Sequence, residues 1–296
     1  MLRRAAPEPG SALAVAGLTA VAMLAFAANS LLCRLALQHD RIDPASFGAV
    51  RLIAGALLLA IVMRAKRQPV MGSGDWRSAA LLFAYVALFS FAYVSLPAGT
   101  GALILFGAVQ LSMLGAGLLA GERFSAAGWL GLCLAAAGLA VLLLPGAAAP
   151  SLLGAVLMAG AGVAWGGYSL RGRGGGSKGG DPLAATAASF IRAMPMGVLL
   201  VLVFLMRAHA DARGVGLAIA SGALTSGLGY VVWYAALRHL SALRAAVVQL
   251  SVPLIAAVGG VLLLGEAFSL RLAVSALAIL GGIGLVLGSR AKTKGT

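Results

Sequence analysis

The stretch Gly121-Glu122-Arg123-Phe124-Ser125 decides the fold, because the chain repeats it as Gly265-Glu266-Ala267-Phe268-Ser269, 144 positions later (265 minus 121). Each copy follows an apolar run and precedes a second run rich in small residues. The repeating unit is therefore a helix, a polar corner and another helix. A period of about half the chain is typical of internally duplicated membrane proteins and is too long for a solenoid repeat.

The composition on both sides of these corners excludes a soluble globular domain. Hydrophobic residues make up 61% of the chain and charged residues 10%, and the mean hydropathy is +1.01. Apolar runs of about 20 residues cross a bilayer as helices, because a helix satisfies its own backbone hydrogen bonds. We predict an all-α integral membrane protein with ten transmembrane helices arranged as two inverted five-helix repeats.

The ten spans follow from the apolar runs and the helix punctuation between them. Aspartate-proline corners, Asp43-Pro44 and Asp181-Pro182, precede the second span of each half, and proline favours the first turn of a helix. The predicted spans are 12–38, 44–64, 76–96, 99–120, 124–144, 151–170, 182–206, 214–237, 241–264 and 269–288. We divide the chain into a leader (1–11), a first repeat (12–147), a second repeat (148–288) and a tail (289–296).

The net charge of +14 is explained by loops that carry Lys and Arg. These residues form no basic stripe interleaved with aromatic residues, so we expect no nucleic-acid partner. With a cytoplasmic N-terminus, fifteen Lys or Arg residues lie on the cytoplasmic side and only Arg41, Arg207, Arg213 and Arg271 on the other. The positive-inside rule therefore places both termini in the cytoplasm, where the basic loops contact lipid headgroups. Because each half has an odd number of spans, five, the second repeat enters the membrane from the opposite side and is inverted relative to the first.

Several motifs together carry a resemblance to a known family. They are the Gly-Glu-x-Phe-Ser corner after the fourth span of each half and Trp165-Gly166-Gly167-Tyr168-Ser169 late in the sixth span. Over residues 12–288 the chain resembles the drug/metabolite transporter superfamily, its EamA family and, more narrowly, YddG-type amino-acid exporters. The resemblance implies export of amino acids and related metabolites across the bacterial inner membrane, through a cavity between the halves. Aromatic and neutral amino acids are the substrates of the narrower group.

One departure from the family pattern concerns the fourth span of each half. Many members carry a proline midway along both of these spans, but here only Pro253 is present, and Val109 stands at the matching position. The resemblance therefore predicts a helix break in the ninth span and gives no support for one in the fourth.

Neutral polar and aromatic residues within the spans are the candidate substrate-binding set. Amides and hydroxyls suit the two charged ends of a zwitterion, and aromatic faces suit its side chain. For each residue the alternative is a place in an interfacial aromatic belt or a hydrogen bond between helices. The set comprises Asn29, Ser30, Tyr85, Tyr93, Gln110, Ser112, Trp165, Tyr168, Ser169, Tyr230, Trp233, Tyr234, Gln249 and Ser251.

Few charged residues lie within the spans. Arg34, Arg51 and Arg192 lie near enough to a span end to extend toward headgroups; a direct role in carboxylate binding or gating is the alternative, strongest for Arg34. Glu122 and Glu266 are predicted to cap amides or pair with an arginine in structural or gate-closing roles, and proton coupling through them is the alternative. No acid lies deep in a span, which favours transport without tight ion coupling.

Other functional classes fit the sequence less well. The histidines lie at span ends and the eight acids are scattered, so we predict no catalytic residues, cofactor or metal, and no enzyme. A channel would favour a continuous polar pore, whereas inverted halves favour a carrier that exposes one central site alternately to each side. A broad drug exporter or a nucleoside or nucleotide-sugar transporter remains the alternative cargo. The glycine-rich fifth and tenth spans favour close helix packing in a monomer, or a homodimer.

Overall fold

The computed structural model describes residues 9–71, 74–121, 125–145, 149–174, 181–240 and 242–293. The helices are α1 Pro9–Leu37, α2 Pro44–Ala65, α3 Trp76–Ala92, α4 Ala98–Leu119, α5 Ala126–Leu143, α6 Leu152–Gly174, α7 Pro182–Val203, α8 Ala212–Ala220, a π-helical segment Ser221–Leu228, α9 Gly229–Leu237, α10 Ala242–Gln249, α11 Ser251–Leu264 and α12 Leu270–Thr293. A short 3-10 turn, Leu205–Arg207, follows α7. Glu122, a predicted gate residue, lies outside the described residues.

The helices form ten spans, as predicted. Nine helical stretches are long and apolar enough to cross a membrane within the described part of the chain, and Trp76–Ala92 is a shorter apolar helix. The sequence Ala212–Leu237 is one such stretch, made of α8, the π-helical segment and α9. The third span ends at Ala92 and not at the predicted residue 96, because the chain turns after Tyr93 before α4 begins.

Aspartates start several of the helices for a local reason. The Asp43 side chain accepts hydrogen bonds from the Ala45 and Ser46 amides, and Asp181 accepts one from the Leu183 amide. A proline follows each aspartate and has no N–H that would need a partner in the first turn. The Asp-Pro corners therefore begin α2 and α7.

Two spans depart from regular α-helix. The ninth span breaks at Leu250, between α10 and α11, one turn before Pro253. Proline lacks the N–H that would bond the carbonyl of Gln249, and its ring crowds that carbonyl. The eighth span contains the π-helical segment Ser221–Leu228, which the sequence analysis did not predict.

The two repeats are interleaved in the bundle. α3 and α4 pack on α6, α2 packs on α7 and the π-helical segment, and α1 and α4 pack on α11. α5 pairs with α12, and their backbones approach so closely that a Cβ at Gly131 or Gly282 would meet the other residue's carbonyl oxygen. Small residues thus serve packing here, as the sequence analysis favoured.

Candidate functional site

A cavity lies at the centre of the bundle, between helices of both repeats. Its volume is ≈ 50 Å³, counted as the space that the centre of a water molecule can occupy. Such a space admits a few waters at about 10–15 Å³ each, so a larger metabolite requires the walls to separate. The lining residues are Phe26, Asn29, Ser30, Arg51, Tyr85, Phe89, Leu105, Phe106, Val109, Trp165, Thr225, Ser226, Tyr230, Trp233 and Gln249.

Arg51 is the charged residue that lines this cavity. Its side chain is buried, with 1% of the residue exposed. Nε donates to the Ser226 hydroxyl at 3.3 Å, and Nη2 donates to the Tyr85 hydroxyl at 3.1 Å. The guanidinium carbon lies 4.9 Å from the centre of the Phe89 ring and 5.2 Å from that of Tyr85, within the range of cation–π attraction.

The location of Arg51 corrects the sequence analysis, which favoured an arginine extended toward headgroups. The residue lies seven positions after Pro44, which is about 10 Å along the helix axis. A side chain at that depth can turn either outward or inward. Here it turns inward, because Tyr85 and Ser226 accept its hydrogen bonds and Gly222 lets the π-helical segment approach the Arg51 backbone closely.

Asn29 completes a polar cluster beside Arg51. Its Nδ2 donates to the Tyr85 hydroxyl at 3.5 Å, and its Oδ1 accepts from the Ser221 hydroxyl at 2.7 Å. The Thr225 hydroxyl lies 3.3 Å from the same oxygen and donates at 2.8 Å to the Ser221 carbonyl. The carbonyl of Asn29 is thus already satisfied. The π-helical segment supplies three hydroxyls to this cluster, consistent with the frequent occurrence of π-helical turns at functional sites.

Aromatic rings next to the polar cluster form the rest of the cavity wall. The Trp165 ring centre lies 4.9 Å from that of Tyr85 and 5.6 Å from that of Tyr230, with Trp165 and Tyr230 nearly parallel at 21°. Phe26 packs against Tyr230 and Trp233 with centre separations of 5.8 and 6.0 Å. The cavity therefore joins a cationic, donor-rich side to a broad apolar side.

Seven of the fourteen predicted substrate-binding residues line the cavity: Asn29, Ser30, Tyr85, Trp165, Tyr230, Trp233 and Gln249. Four others lie elsewhere in the helices. Ser112 and Ser251 donate to carbonyls three residues earlier, at Val109 and Val248. Gln110 is buried on α4, and Ser169 is half-buried on α6.

The remaining three predicted residues lie toward the two ends of the bundle. Tyr93 is buried and donates to the Ala98 carbonyl at 3.2 Å. Tyr168 and Tyr234 both contact the Thr186 hydroxyl, at 3.3 and 2.9 Å, next to Trp165. We call the end that contains the start of α3 and the end of α6 the Asp75 end. The opposite end, which contains the start of α4 and the end of α11, is the Glu266 end.

At the Asp75 end, α6 is joined to the start of α3. Arg171 pairs with the Asp75 carboxylate at 3.3 Å and donates to the Ser78 hydroxyl. Burial alone would raise the pKa of Asp75, but hydrogen bonds from the Ser78 amide and hydroxyl and from Arg171 hold that pKa below its ordinary value. The carboxylate is therefore charged at neutral pH and available to the arginine.

At the Glu266 end, one carboxylate joins three elements. Both Glu266 oxygens accept from the Ala98 amide at 2.9 Å, which caps α4, and one lies 3.4 Å from Nε of Arg34. Nε makes no hydrogen bond, so its attraction to Glu266 is a charge interaction without directed geometry. Arg34 also donates through Nη1 to the carbonyls of Tyr93 and Val94 at 3.0 Å.

A second contact joins the repeats at the Glu266 end. Asp43 donates its amide to the His209 carbonyl and accepts from the His209 amide through Oδ2. Arg41 pairs with Asp211 at 3.2 Å, and the His209 ring lies 3.0 Å from Asp40. Contacts between the repeats therefore extend across the whole Glu266 end.

The sequence analysis missed a group of residues at the cavity. Arg51 was assigned to a span end, while Phe26, Phe89 and the serine and threonine residues of the π-helical segment were not selected. Three hydroxyl residues recur at spacings of four and one in an otherwise apolar span, and this pattern could have indicated a polar surface facing the cavity. They are Ser221, Thr225 and Ser226. Among the residues that the structure describes, no three His, Cys, Asp or Glu lie close enough together to hold a metal ion.

Comparisons with known proteins agree with this architecture. The sequence matches the EamA-like transporter family over residues 13–144 and 152–288. It is 56% identical over 274 residues to the uncharacterized protein PA1977 of Pseudomonas aeruginosa, covering 92% of this chain and 94% of that one. A crystal structure with 20% identity superposes with a TM-score of 0.62 over 92% of this chain and 97% of that chain, a likeness of fold alone. The chain belongs to the EamA-like transporter family, within the drug/metabolite transporter superfamily.

Proposed function

We propose that this transporter exports small metabolites, foremost aromatic and neutral amino acids, across the bacterial inner membrane. The observation that carries the proposal is the central cavity, whose lining joins Arg51, Tyr85 and Asn29 to the rings of Trp165 and Tyr230. A guanidinium and a hydroxyl suit a carboxylate, and flat aromatic faces suit an apolar side chain.

The proposed mechanism is alternating access of this cavity. The distribution of Lys and Arg supports an orientation with the Glu266 end in the periplasm and both termini in the cytoplasm. In this arrangement the Arg34–Glu266 pair and the amide cap on Ala98 hold α1, α4 and the α11–α12 corner together on the periplasmic side. Export requires these contacts to open and the cavity to widen around cargo.

We propose that transport proceeds without tight ion coupling. No Asp or Glu lines the cavity within the described part of the chain, and Glu266 is occupied by Arg34 and the Ala98 amide. Proton-coupled carriers depend on a titratable group that both sides can reach. The substrate gradient therefore sets the direction of flux.

Counterflow in proteoliposomes tests this proposal. Vesicles loaded with unlabelled phenylalanine, threonine or methionine are diluted into the labelled amino acid, and its entry is followed. A carrier gives transient accumulation above equilibrium, whereas a channel gives none. Trp165→Ala and Tyr168→Ala should lower the accumulation, and Trp76→Ala is the matched control, since Trp76 is 60% exposed and distant from the cavity lining.

The outcomes separate the alternatives. Accumulation that Trp165→Ala reduces and Trp76→Ala leaves unchanged supports a carrier with its site at the central cavity. Absence of accumulation with every amino acid, in vesicles whose protein elutes as a folded species, would exclude the amino-acid cargo and favour drug-like or nucleoside cargo.

A further inference from the structure

Within the described residues, no carboxylate balances the charge of Arg51. The residue is 1% exposed, and within the described residues no carboxylate lies within 4.0 Å of its guanidinium. Its three described partners, the Ser226 and Tyr85 hydroxyls and the Phe89 ring, are neutral. Buried cations in proteins are normally paired with an anion, so this site lacks one negative charge.

The hydrogen-bond donors around Arg51 are also in excess. Nη1 of Arg51 is buried and has no hydrogen-bond partner among the described residues. The Tyr85 hydroxyl accepts two hydrogen bonds and the Ser226 hydroxyl accepts one, yet neither donates its proton to any described group. Three donors are therefore available beside a single positive charge.

The acceptors at the cavity offer much less to a cation. The Asn29 carbonyl already accepts from the Ser221 hydroxyl at 2.7 Å, and the Thr225 hydroxyl lies 3.3 Å from it. Gln249 is the other amide in the lining, and it is neutral. An ammonium group would lie in the field of Arg51, and the described residues that line the cavity include no carboxylate to balance it.

We propose that the preferred cargo is a monoanion: an aromatic or large apolar carboxylate without a compensating ammonium group. The carboxylate accepts from Nη1 of Arg51 and from the Tyr85 and Ser226 hydroxyls, and the apolar body lies against Trp165 and Tyr230. This inference rests on the proposed carrier and its central cavity, and it assigns that cavity a preferred cargo other than the zwitterionic amino acids. One cation matches one negative charge, so phosphorylated cargo with about two charges fits less well.

A consequence concerns the two states of the carrier. With the monoanion bound, the site is electrically neutral, whereas the empty site keeps a buried cation. Movement of the empty carrier between its two orientations is therefore the slower step. Exchange of internal for external cargo should exceed net efflux.

Stabilisation of the protein by bound ligand tests the inference. Three matched ligands are compared: 3-phenylpropanoate (an anion), phenylalanine (a zwitterion) and 2-phenylethylamine (a cation). In detergent, the concentration that raises the melting temperature by half its maximal shift is measured for each, since a ligand that binds the folded state stabilises it. We expect 3-phenylpropanoate to act at a concentration about tenfold or more below that of phenylalanine, because the ammonium group of phenylalanine would be buried beside Arg51 without a charged partner. Phenylethylamine should give no shift. Benzylphosphonate is included as the dianionic probe.

Counterflow with the same ligands separates the two proposals. If phenylalanine binds and is exchanged while 3-phenylpropanoate is not, the monoanion inference is wrong and the amino-acid proposal stands. If benzylphosphonate binds more tightly than 3-phenylpropanoate, the cargo class is a phosphate-type dianion and the inference is again overturned. If none of the four binds or is exchanged by folded protein, both proposals fail.

Variants of Arg51 link the preference to this residue. Arg51→Gln should reduce the preference for 3-phenylpropanoate over phenylalanine to about threefold or less, and Arg51→Lys, which keeps the charge but loses the planar guanidinium, should retain part of it. Arg192→Gln is the matched control, because Arg192 lies within α7 and donates to the Met71 carbonyl away from the cavity. An unchanged preference in folded Arg51→Gln would overturn the assignment, and if that variant does not fold, Arg51→Lys and Tyr85→Phe carry the test.

Discussion

The fourth spans of the two repeats have opposite structures at equivalent positions. α4 runs without interruption from Ala98 to Leu119, whereas its counterpart is divided into α10 and α11 at Leu250. Both spans begin at the same place in the duplication, because Ala242 follows Ala98 by 144 positions (242 minus 98), the spacing of the two Gly-Glu corners. The difference therefore arises within the spans.

One residue explains the difference. Pro253 has no N–H for the Gln249 carbonyl, whereas Val109 keeps the N–H that bonds Leu105. Leu105, Val109 and Gln249 all line the cavity. The duplicated chain thus presents a continuous helix to one side of the cavity and a broken helix to the other, and the broken one is better suited to bend when the site changes orientation.

The largest effect is expected when the unbroken span is made to resemble the broken one. Val109→Pro should destabilise the protein by about 3 kcal/mol or more, the usual effect of proline inside a helix. α4 is also buried against α6 and α11, so it has no space in which to bend. Thermal unfolding in detergent measures the loss, with Val109→Ala as control; equal melting temperatures for the two variants would contradict this account.

The corners that follow these spans give the next largest effect. Glu266→Ala removes both the Arg34 pair and the cap on the Ala98 amide, and we expect a loss of about 1–3 kcal/mol. Glu266→Gln keeps an oxygen for Ala98 and should lose less. Melting temperatures of both variants test this, and equal losses would show that the cap contributes nothing.

The same comparison applies to the first corner. Glu122 lies outside the described residues, but the duplicated sequence predicts for it a capping role like that of Glu266. Glu122→Ala is then expected to destabilise the protein by about as much as Glu266→Ala, again about 1–3 kcal/mol. The paired melting experiment would reject this symmetry if Glu122→Ala had no effect.

Most of the fold was predictable because its causes are local. The lengths of the apolar runs predicted the spans. The Asp-Pro corners predicted the starts of α2 and α7, and Pro253 predicted the break in the ninth span. The π-helical segment was not predicted, because an extra residue in one turn leaves no hydrophobic periodicity to detect. Its position depends on tertiary contact, in particular the close approach of Gly222 to the Arg51 backbone.

The site was only half predictable for a related reason. Polar and aromatic residues are conspicuous in apolar spans, which identified Asn29, Tyr85 and Trp165. Depth along a helix does not show which way a charged side chain turns. Arg51, seven positions after the start of α2, is buried at the cavity, whereas Arg192, ten positions after the start of α7, reaches the Met71 carbonyl. The two arginines differ in the residues that pack around them, and these neighbours are known only from the folded structure.

Restoring a continuous helix at Leu250 should change the stability of the protein less than it changes the local opening of the ninth span. Pro253→Ala restores an N–H to Gln249, and the added hydrogen bond is expected to contribute about 0.5–1.5 kcal/mol. Amide hydrogen exchange near residues 248–253 should slow, and counterflow should slow with it if bending at Leu250 accompanies transport. Faster exchange in the variant would contradict a restored helix, and Leu254→Ala is the control for an alanine one position further along.

The smallest effect concerns the loop contacts that hold the repeats together at the Glu266 end. The Arg207 carbonyl and the Asp40 carboxylate raise the pKa of His209 above its ordinary value. Its stabilising contribution is therefore fully present below about pH 6.5, the value for unfolded histidine, and is lost as pH rises through the higher folded pKa. Because Asp40 is exposed, we expect a change below about 1 kcal/mol. Melting temperatures between pH 5.5 and 8.5, in detergent of constant ionic strength, should decline slightly more in the parent than in His209→Gln. A parallel decline would mean that the two repeats are held at this end by Asp43 and Glu266 and not by the histidine charge.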